Sequence, residues 1–218
     1  MKKPVNYIVI FFMGIITFFI ISIVLYLATG FSLGGVFSSD RDHPHISSNA
    51  SNVELTALAF NVLEYISDGD FESLSEVVHP DFGVVFSPGA TINLTTNRRF
   101  NAEQIALFAG DSTIYVWGMR NGTGEPIELT PMDYINQFVL SSDYLNASII
   151  GVDRIIRSGN ALENITDEFP GVRFVEFHIP GEQRPGYDDL DWSTLRLGFE
   201  RQDDRLWLTV IVHSTWTV

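Results

Sequence analysis

The residues of this chain best placed to do chemistry lie on three segments near its C-terminus. In VRFVEFHI, the two-residue period of a strand puts Phe174, Glu176 and His178 on one face and Val175, Phe177 and Ile179 on the other. In TLRLGFER, Arg196 and Glu200 oppose Leu195, Leu197 and Phe199. The final segment, RLWLTVIVHSTWTV, sets Leu206, Leu208, Val210 and Val212 against Trp207, Thr209, Ile211 and His213. If these strands are neighbours, Glu176, His178, Arg196, Glu200 and His213 share one face. Such a face is either a solvated surface with cross-strand ion pairs, which stabilise little, or the polar lining of a binding cleft. In the cleft, Arg196 would hold an anionic group through its forked donors.

A second constellation could carry acid/base chemistry. Asp81 follows a His79-Pro80 pair at the start of a strand, and Tyr115, Trp117 and Tyr134 could line a pocket with it. A carboxylate tuned by apolar surroundings, facing a tyrosine donor, suits proton abstraction. The structural alternative has Asp81 closing a turn, His79 satisfying a helix end and the aromatics packed as core. No residue is assigned as catalytic on these spacings.

Other chemistries find less support. The chain has no cysteine, which excludes disulfides, thiolate metal sites and a cysteine nucleophile. It has no glycine-rich phosphate loop, no Gly-X-Ser-X-Gly elbow and no His-Glu-X-X-His. Its only lysines are Lys2 and Lys3, so a Schiff base in the later chain is ruled out. Asp188, Asp189 and Asp191 cluster in GYDDLDW, but calcium needs more oxygens in a defined loop. Asp40, Asp42, His43 and His45 sit in a stretch without hydrophobic period and read as solvated. We expect no metal and no cofactor. Five Asn-X-Ser/Thr sites, at Asn49, Asn93, Asn121, Asn146 and Asn164, are glycosylation candidates if the organism has the pathway.

The elements that would position these residues begin with a membrane segment. Residues 5–28 carry no charge, and at 24 helical residues they span about 36 Å, enough for a hydrocarbon core of about 30 Å. Lys2 and Lys3 before the run predict a cytoplasmic N-terminus and a C-terminal domain outside. A cleaved signal peptide is the alternative, but its apolar region is normally shorter. The expected organisation is a cytoplasmic tip at 1–4, a transmembrane helix at 5–28, a flexible tether at 29–52 and an extracytoplasmic domain at 53–218. All 27 acidic residues lie beyond the apolar run, against 11 arginines, a net of −16 (11 minus 27). That charge argues against nucleic acid and anionic lipid headgroups as partners.

Within the domain, Ser51 and Glu54 have capping-box spacing, Leu55, Leu58, Ala59, Val62, Leu63 and Ile66 follow at helical intervals, and Gly69 stops the helix. Asp70 caps a short second helix that ends at His79-Pro80. GVVFSP reads as a strand and FNAEQIALFAG as a helix. TIYVWGM and PIEL form a hairpin, and Thr130-Pro131 starts a further helix. IIGVDRIIR and the three segments described first complete a long, mainly antiparallel sheet. Helices followed by strands predict an α+β class.

The stretch VLEYISDGDFESLSEVVHPDFGVVF resembles the opening of polyketide-cyclase-like and ketosteroid-isomerase-like domains of the nuclear-transport-factor-2-like superfamily, on Gly69-Asp70 and His79-Pro80-Asp81. VHPDFGVVFSP, YVWG with GTGEPIELT, FVEFHIPG, LDWSTLRLGFE and WLTVIVHSTWTV resemble a family of uncharacterised extracytoplasmic domains of Gram-positive bacteria. Its members are often lipoproteins, and this chain departs from them in using an apolar anchor. The resemblance implies a conical roll, a curved sheet wrapped by helices around a cavity, and it implies no activity. The function expected from the sequence is therefore non-catalytic. A cell-membrane protein with one span would present a domain that binds a small ligand, an envelope component or a protein partner. A cavity-based acid/base enzyme of isomerase or cyclase type is the alternative.

Overall fold

The structure, a computed structural model, describes residues 51–120, 122–181 and 190–216. The apolar run, the tether as far as residue 50, Asn49, Asn121, Asp188 and Asp189 lie outside the described residues. Among the described residues, no helix is long and apolar enough to cross a membrane. All of them belong to one compact unit, Ser48–Val218.

The first helix, α1 (Asn52–Asp68), starts where the Ser51 hydroxyl accepts the Glu54 N–H at 3.1 Å and stops at Gly69, which is left-handed with φ 70°. Only half of the expected capping box forms, because the Glu54 carboxylate turns to Arg201 at 3.1 Å. Leu55, Ala59, Val62, Leu63 and Ile66 bury the predicted face. Asp70 then caps α2 (Phe71–Ser75) by accepting the Ser73 N–H at 3.0 Å. The chain next bridges to the distant Leu208, whose N–H reaches the Val77 carbonyl at 2.7 Å.

Two short strands follow, β1 (Val84–Ser87) and β2 (Arg98–Phe100). Helix α3 (Ala102–Ala106) opens with a complete capping box between Asn101 and Gln104, the side-chain oxygens accepting each other's backbone N–H. Strands β3 (Tyr115–Met119) and β4 (Pro126–Leu129) make the predicted hairpin, a small sheet of their own. Helix α4 (Pro131–Tyr134) has Pro131 in its first turn, as expected, and runs on into a π-helical turn at Ile135–Val139.

Strands β5 (Ile149–Val152), β6 (Arg173–Ile179), β7 (Ser193–Gln202) and β8 (Arg205–Thr215) form most of a six-stranded sheet of order β2-β1-β8-β7-β6-β5. Every pairing is antiparallel except β1 with β8. The result is the α+β class with a curved, mainly antiparallel sheet. β5 is shorter than IIGVDRIIR suggested. Asp153 takes φ 50°, and its carboxylate accepts the Phe174 N–H at 2.9 Å and Arg173 Nε at 2.7 Å, so the chain leaves the sheet there.

Both faces of this sheet are covered. On one, the core face, α1, α2, the β3–β4 hairpin and α4 enclose Phe86, Val175, Phe177, Leu195, Leu197 and Ile211. Aromatic rings fill that layer. Trp117 stacks on Tyr134 at 3.9 Å between ring centres, and Phe86 meets Phe100, Phe108, Trp117 and Tyr134 at 5.4–6.0 Å. On the far face, a strap from Asp153 to Val172, including a single helical turn α5 (Ile165–Glu168), packs Ile165, Phe169 and Val172 against Phe174, Val210 and Val212. The amide of Asn164 locks the strap's middle to the β1–β2 connection, accepting the Ile92 N–H at 2.8 Å and donating to its carbonyl at 2.9 Å.

One irregularity sets which residues face where. Gly198 pairs with Val210 but Phe199 pairs with Leu208, so Thr209 is an extra residue in β8. Leu206 and Leu208 therefore reach the core face, whereas Val210 and Val212 reach the far one. The uninterrupted alternation expected of this strand fails at Thr209.

Gly83 holds the approach to β1 at φ 81°, where an added Cβ would lie 2.3 Å from the Phe100 carbonyl oxygen. That atom is backbone and cannot give. Gly83→Ala should lower unfolding free energy by about 2 kcal/mol or more, measured as the shift in the urea midpoint at constant m-value.

Candidate functional site

The sheet register brings two of the five predicted cleft residues directly together. Glu176 lies opposite Arg196 on the far face. Arg196 donates from Nε and Nη2 to Glu176 Oε2 at 2.8 and 2.6 Å, and from Nη1 to Glu163 Oε2 at 2.7 Å. The other Glu176 oxygen accepts the Ile156 and Arg157 N–H groups of the strap at 3.0 and 3.4 Å. Phe174 lies beneath the guanidinium, 5.6 Å from its carbon. Glu176 is 0% exposed and Arg196 1%. This is a buried triad of one cation and two carboxylates, neither an open surface nor a cleft with a free arginine.

Glu163, which completes the triad, carried no signal in the sequence. It sits in ALENIT without hydrophobic period, and only the folding of the strap over the sheet brings it to Arg196. Burial raises its pKa above the ordinary carboxylate range; Arg196 opposes that shift and Glu176 adds to it. Its second oxygen, Oε1, is buried without a hydrogen-bond donor.

The other three cleft residues part from the triad. His178 is opposite Thr194, next along the same face, 5% exposed and 6.2 Å from the Trp192 ring centre. Glu200 stands beyond Gly198 toward the opposite end of β7, where its carboxylate lies 3.8 Å from His79 Nε2. His213 pairs with Leu195 and so lies on the core face, contrary to the expected grouping. The reason is the Thr209 bulge: the strand's two halves do not share one alternation. There the His213 ring meets Phe138 edge-on at 5.6 Å, and neither ring nitrogen has a hydrogen-bond partner. Burial pushes its pKa from the ordinary 6.5 down to about 4; the Pro88 backbone, near the ring though not in hydrogen-bonding geometry, opposes the shift.

The acid/base constellation is dispersed. Asp81 is exposed and accepts from Gln202 Nε2 at 2.8 Å. His79 Nδ1 accepts the backbone N–H groups of Asp81 and Phe82 at 3.3 and 3.1 Å, closing the turn after α2. Tyr134 is fully packed in the aromatic layer, and burial raises its pKa well above 10. Trp117 Nε1 donates to the Leu129 carbonyl at 2.9 Å, and the Tyr115 hydroxyl donates to Asp111 at 2.8 Å. Among the described residues, no three His, Asp or Glu side chains converge as a metal site, and Asp191 is exposed. Of the described sequons, Asn93 and Asn146 are exposed, whereas Asn164 is 7% exposed with its amide engaged on Ile92.

No family model matches the chain, and no curated protein matches it. Among solved structures it is similar to a "putative dehydratase from the NTF2-like family" of Streptomyces avermitilis. The TM-score is 0.34 and the identity 15%, over 76% of this chain and 97% of that one. A likeness of that size carries nothing about activity.

Arg196→Met leaves two buried carboxylates without their cation and should cost about 3–5 kcal/mol in urea unfolding. Glu163→Gln keeps an acceptor for Arg196 and should cost much less. Because the folded pKa of Glu163 is raised, its ionisation works against folding as pH rises through that value. The Gln variant should therefore gain on the wild type above that pH, and a parallel pair of pH–stability curves would contradict this. His213 has the opposite sign of slope. Its folded pKa is depressed, so stability present above pH 6.5 should fall by about 3 kcal/mol as pH drops to about 4. His213→Leu should remove that decline, read from urea midpoints at pH 7.5, 5.5 and 4.

Proposed function

We propose that this chain is a single-pass membrane protein, N-terminus in the cytoplasm, whose extracytoplasmic domain acts by binding a ligand or partner at its surface and not by chemistry in an enclosed cavity. The anchor and its orientation rest on the apolar run at 5–28 and the two lysines before it. The observation carrying the non-catalytic part is the occupancy of the core face. Where a conical roll would need an acid or base beside open space, Trp117 and Tyr134 are stacked and Phe86 meets both edge-on. On the sheet's far face, the buried Arg196 is occupied by Glu163 and Glu176.

The fold is most economically read as a member of the nuclear-transport-factor-2-like group. A long helix, the Gly69-Asp70 break, a short helix and the His79-Pro80-Asp81 turn into the first strand occur here in the order that the sequence resemblance implied. In this reading the roll is retained and its interior is given over to packing. In this reading the domain's working surface is its outside.

Two measurements test the proposal. The full chain should stay with membranes after a carbonate wash, and its domain should be digested by protease added to intact cells stripped of their wall. Release into the wash would refute the anchor. A chain carrying Asp81→Asn, Tyr115→Phe and Tyr134→Phe should complement a deletion strain as well as the wild type. Failure of that folded, correctly located variant would restore the enzyme reading.

A further inference from the structure

Acidic residues outnumber arginines 27 to 11 in this chain, and most described arginines have an acceptor. Arg173 meets Asp153 and Asn52 at 2.7 and 2.6 Å, Arg196 is held by both carboxylates of the triad, and Arg201 meets Glu54 at 3.1 Å. Arg205 lies over Trp207 and donates to the Glu76 carbonyl at 2.8 Å. Arg98 and Arg99 are different. They are adjacent on the edge strand β2, their side chains make no hydrogen bond or ion pair with any described residue, and they are held by aromatic rings instead. The Arg98 guanidinium carbon is 4.7 Å from the Tyr115 ring centre and 5.4 Å from that of Phe100; Arg99 is 4.8 Å from that of Phe82. Arg98 Nε is buried with no acceptor at all.

Both arginines line one groove of about 400 Å³, together with Phe82, Val85, Leu94 and Asn97. Its volume falls in the range of small-molecule sites, about 300–1,000 Å³. Phe82, Val85 and the half-exposed Leu94 offer an apolar wall. Asn97 is spent on structure, accepting the Asn93 N–H at 2.7 Å. The charges of the groove are thus two guanidinium groups whose donors lack acceptors.

We propose, building on the surface-binding reading above, that this groove binds a small organic anion. Arg99, assisted by Arg98, pairs with its carboxylate or phosphate, and Phe82, Val85 and Leu94 take its apolar body. A guanidinium already held over an aromatic ring loses less freedom on binding than a free one. The excess of carboxylates elsewhere selects for small anions, because a polyanion would be repelled by the rest of the domain. Arg120 and Arg154, both exposed and without a ring or carboxylate partner among the described residues, are not among the residues lining the groove and serve as controls.

The test is calorimetric titration of the full chain in non-ionic detergent with phenyl phosphate, benzoate, inorganic phosphate and acetate. Phenyl phosphate or benzoate should bind at one site at least tenfold tighter than the anion without its ring, and which of the two binds better identifies the head group. Arg99→Ala should weaken that binding by about tenfold or more, and Leu94→Asp, on an exposed side chain, should abolish it. Arg120→Ala should leave it within about twofold. Three results would overturn the proposal: no saturable heat with either ring-bearing probe up to about 10 mM, affinity unchanged in Arg99→Ala, or inorganic phosphate binding as tightly as phenyl phosphate. Failure here with the triple variant still complementing removes the groove and leaves the surface-binding reading intact.

Discussion

Arg196 cannot leave water unless its charge is met by carboxylates, and this requirement organises the far side of the molecule. A lone buried guanidinium would cost several kcal/mol, and two carboxylates without it would cost at least as much. The three groups come from β7, from β6 and from a strap beyond β5, so they meet only when strand register and strap position are both correct. Glu176 extends the constraint by fixing the strap's backbone through the Ile156 and Arg157 amides. Removing one member leaves the others buried without partners, whereas an apolar replacement of all three could pack as well.

The covering strap changes what the sheet can do. A mainly antiparallel sheet commonly leaves one face to solvent, with polar residues alternating outward. Here the outward face of β6, β7 and β8 carries Phe174, Val210 and Val212 and is sealed by Ile165, Phe169 and Val172. The core face is sealed by helices and filled by rings. With both faces committed to packing, β2, an edge strand, is where backbone, aromatic surface and unpaired positive charge come together at a groove.

The acidity of the chain bears on this arrangement through competition. Carboxylates outnumber arginines by 27 to 11, so an arginine without one is held apart by geometry and not by any shortage of partners. Aromatic rings do this for Arg98 and Arg99, whose guanidinium carbons lie 4.7 Å from the Tyr115 ring centre and 4.8 Å from that of Phe82. An edge strand kept charged in this way is also protected from pairing with another chain.

What the sequence determined by itself is the part of the fold settled within a few residues. Ser51, Gly69, Asp70, the Asn101–Gln104 box and Thr130-Pro131 each satisfy or stop a helix end through neighbours three or four positions away, and each was legible for that reason. The apolar run, the absence of cysteine and the acidic balance were legible too, because composition needs no partner. Of the candidate site, the Glu176–Arg196 pair could be read from alternation, since β6 and β7 each keep one period through that point. His213 could not be placed, because the bulge at Thr209 depends on how β8 meets Gly198 across the hairpin. Glu163 joined the triad only through the tertiary course of the strap, and Arg99 found Phe82 only once β1 and β2 had paired. Local hydrogen bonds are closed by residues adjacent in the chain. Register, face and charge pairing are closed by residues far along it, and those only the folded sheet could decide.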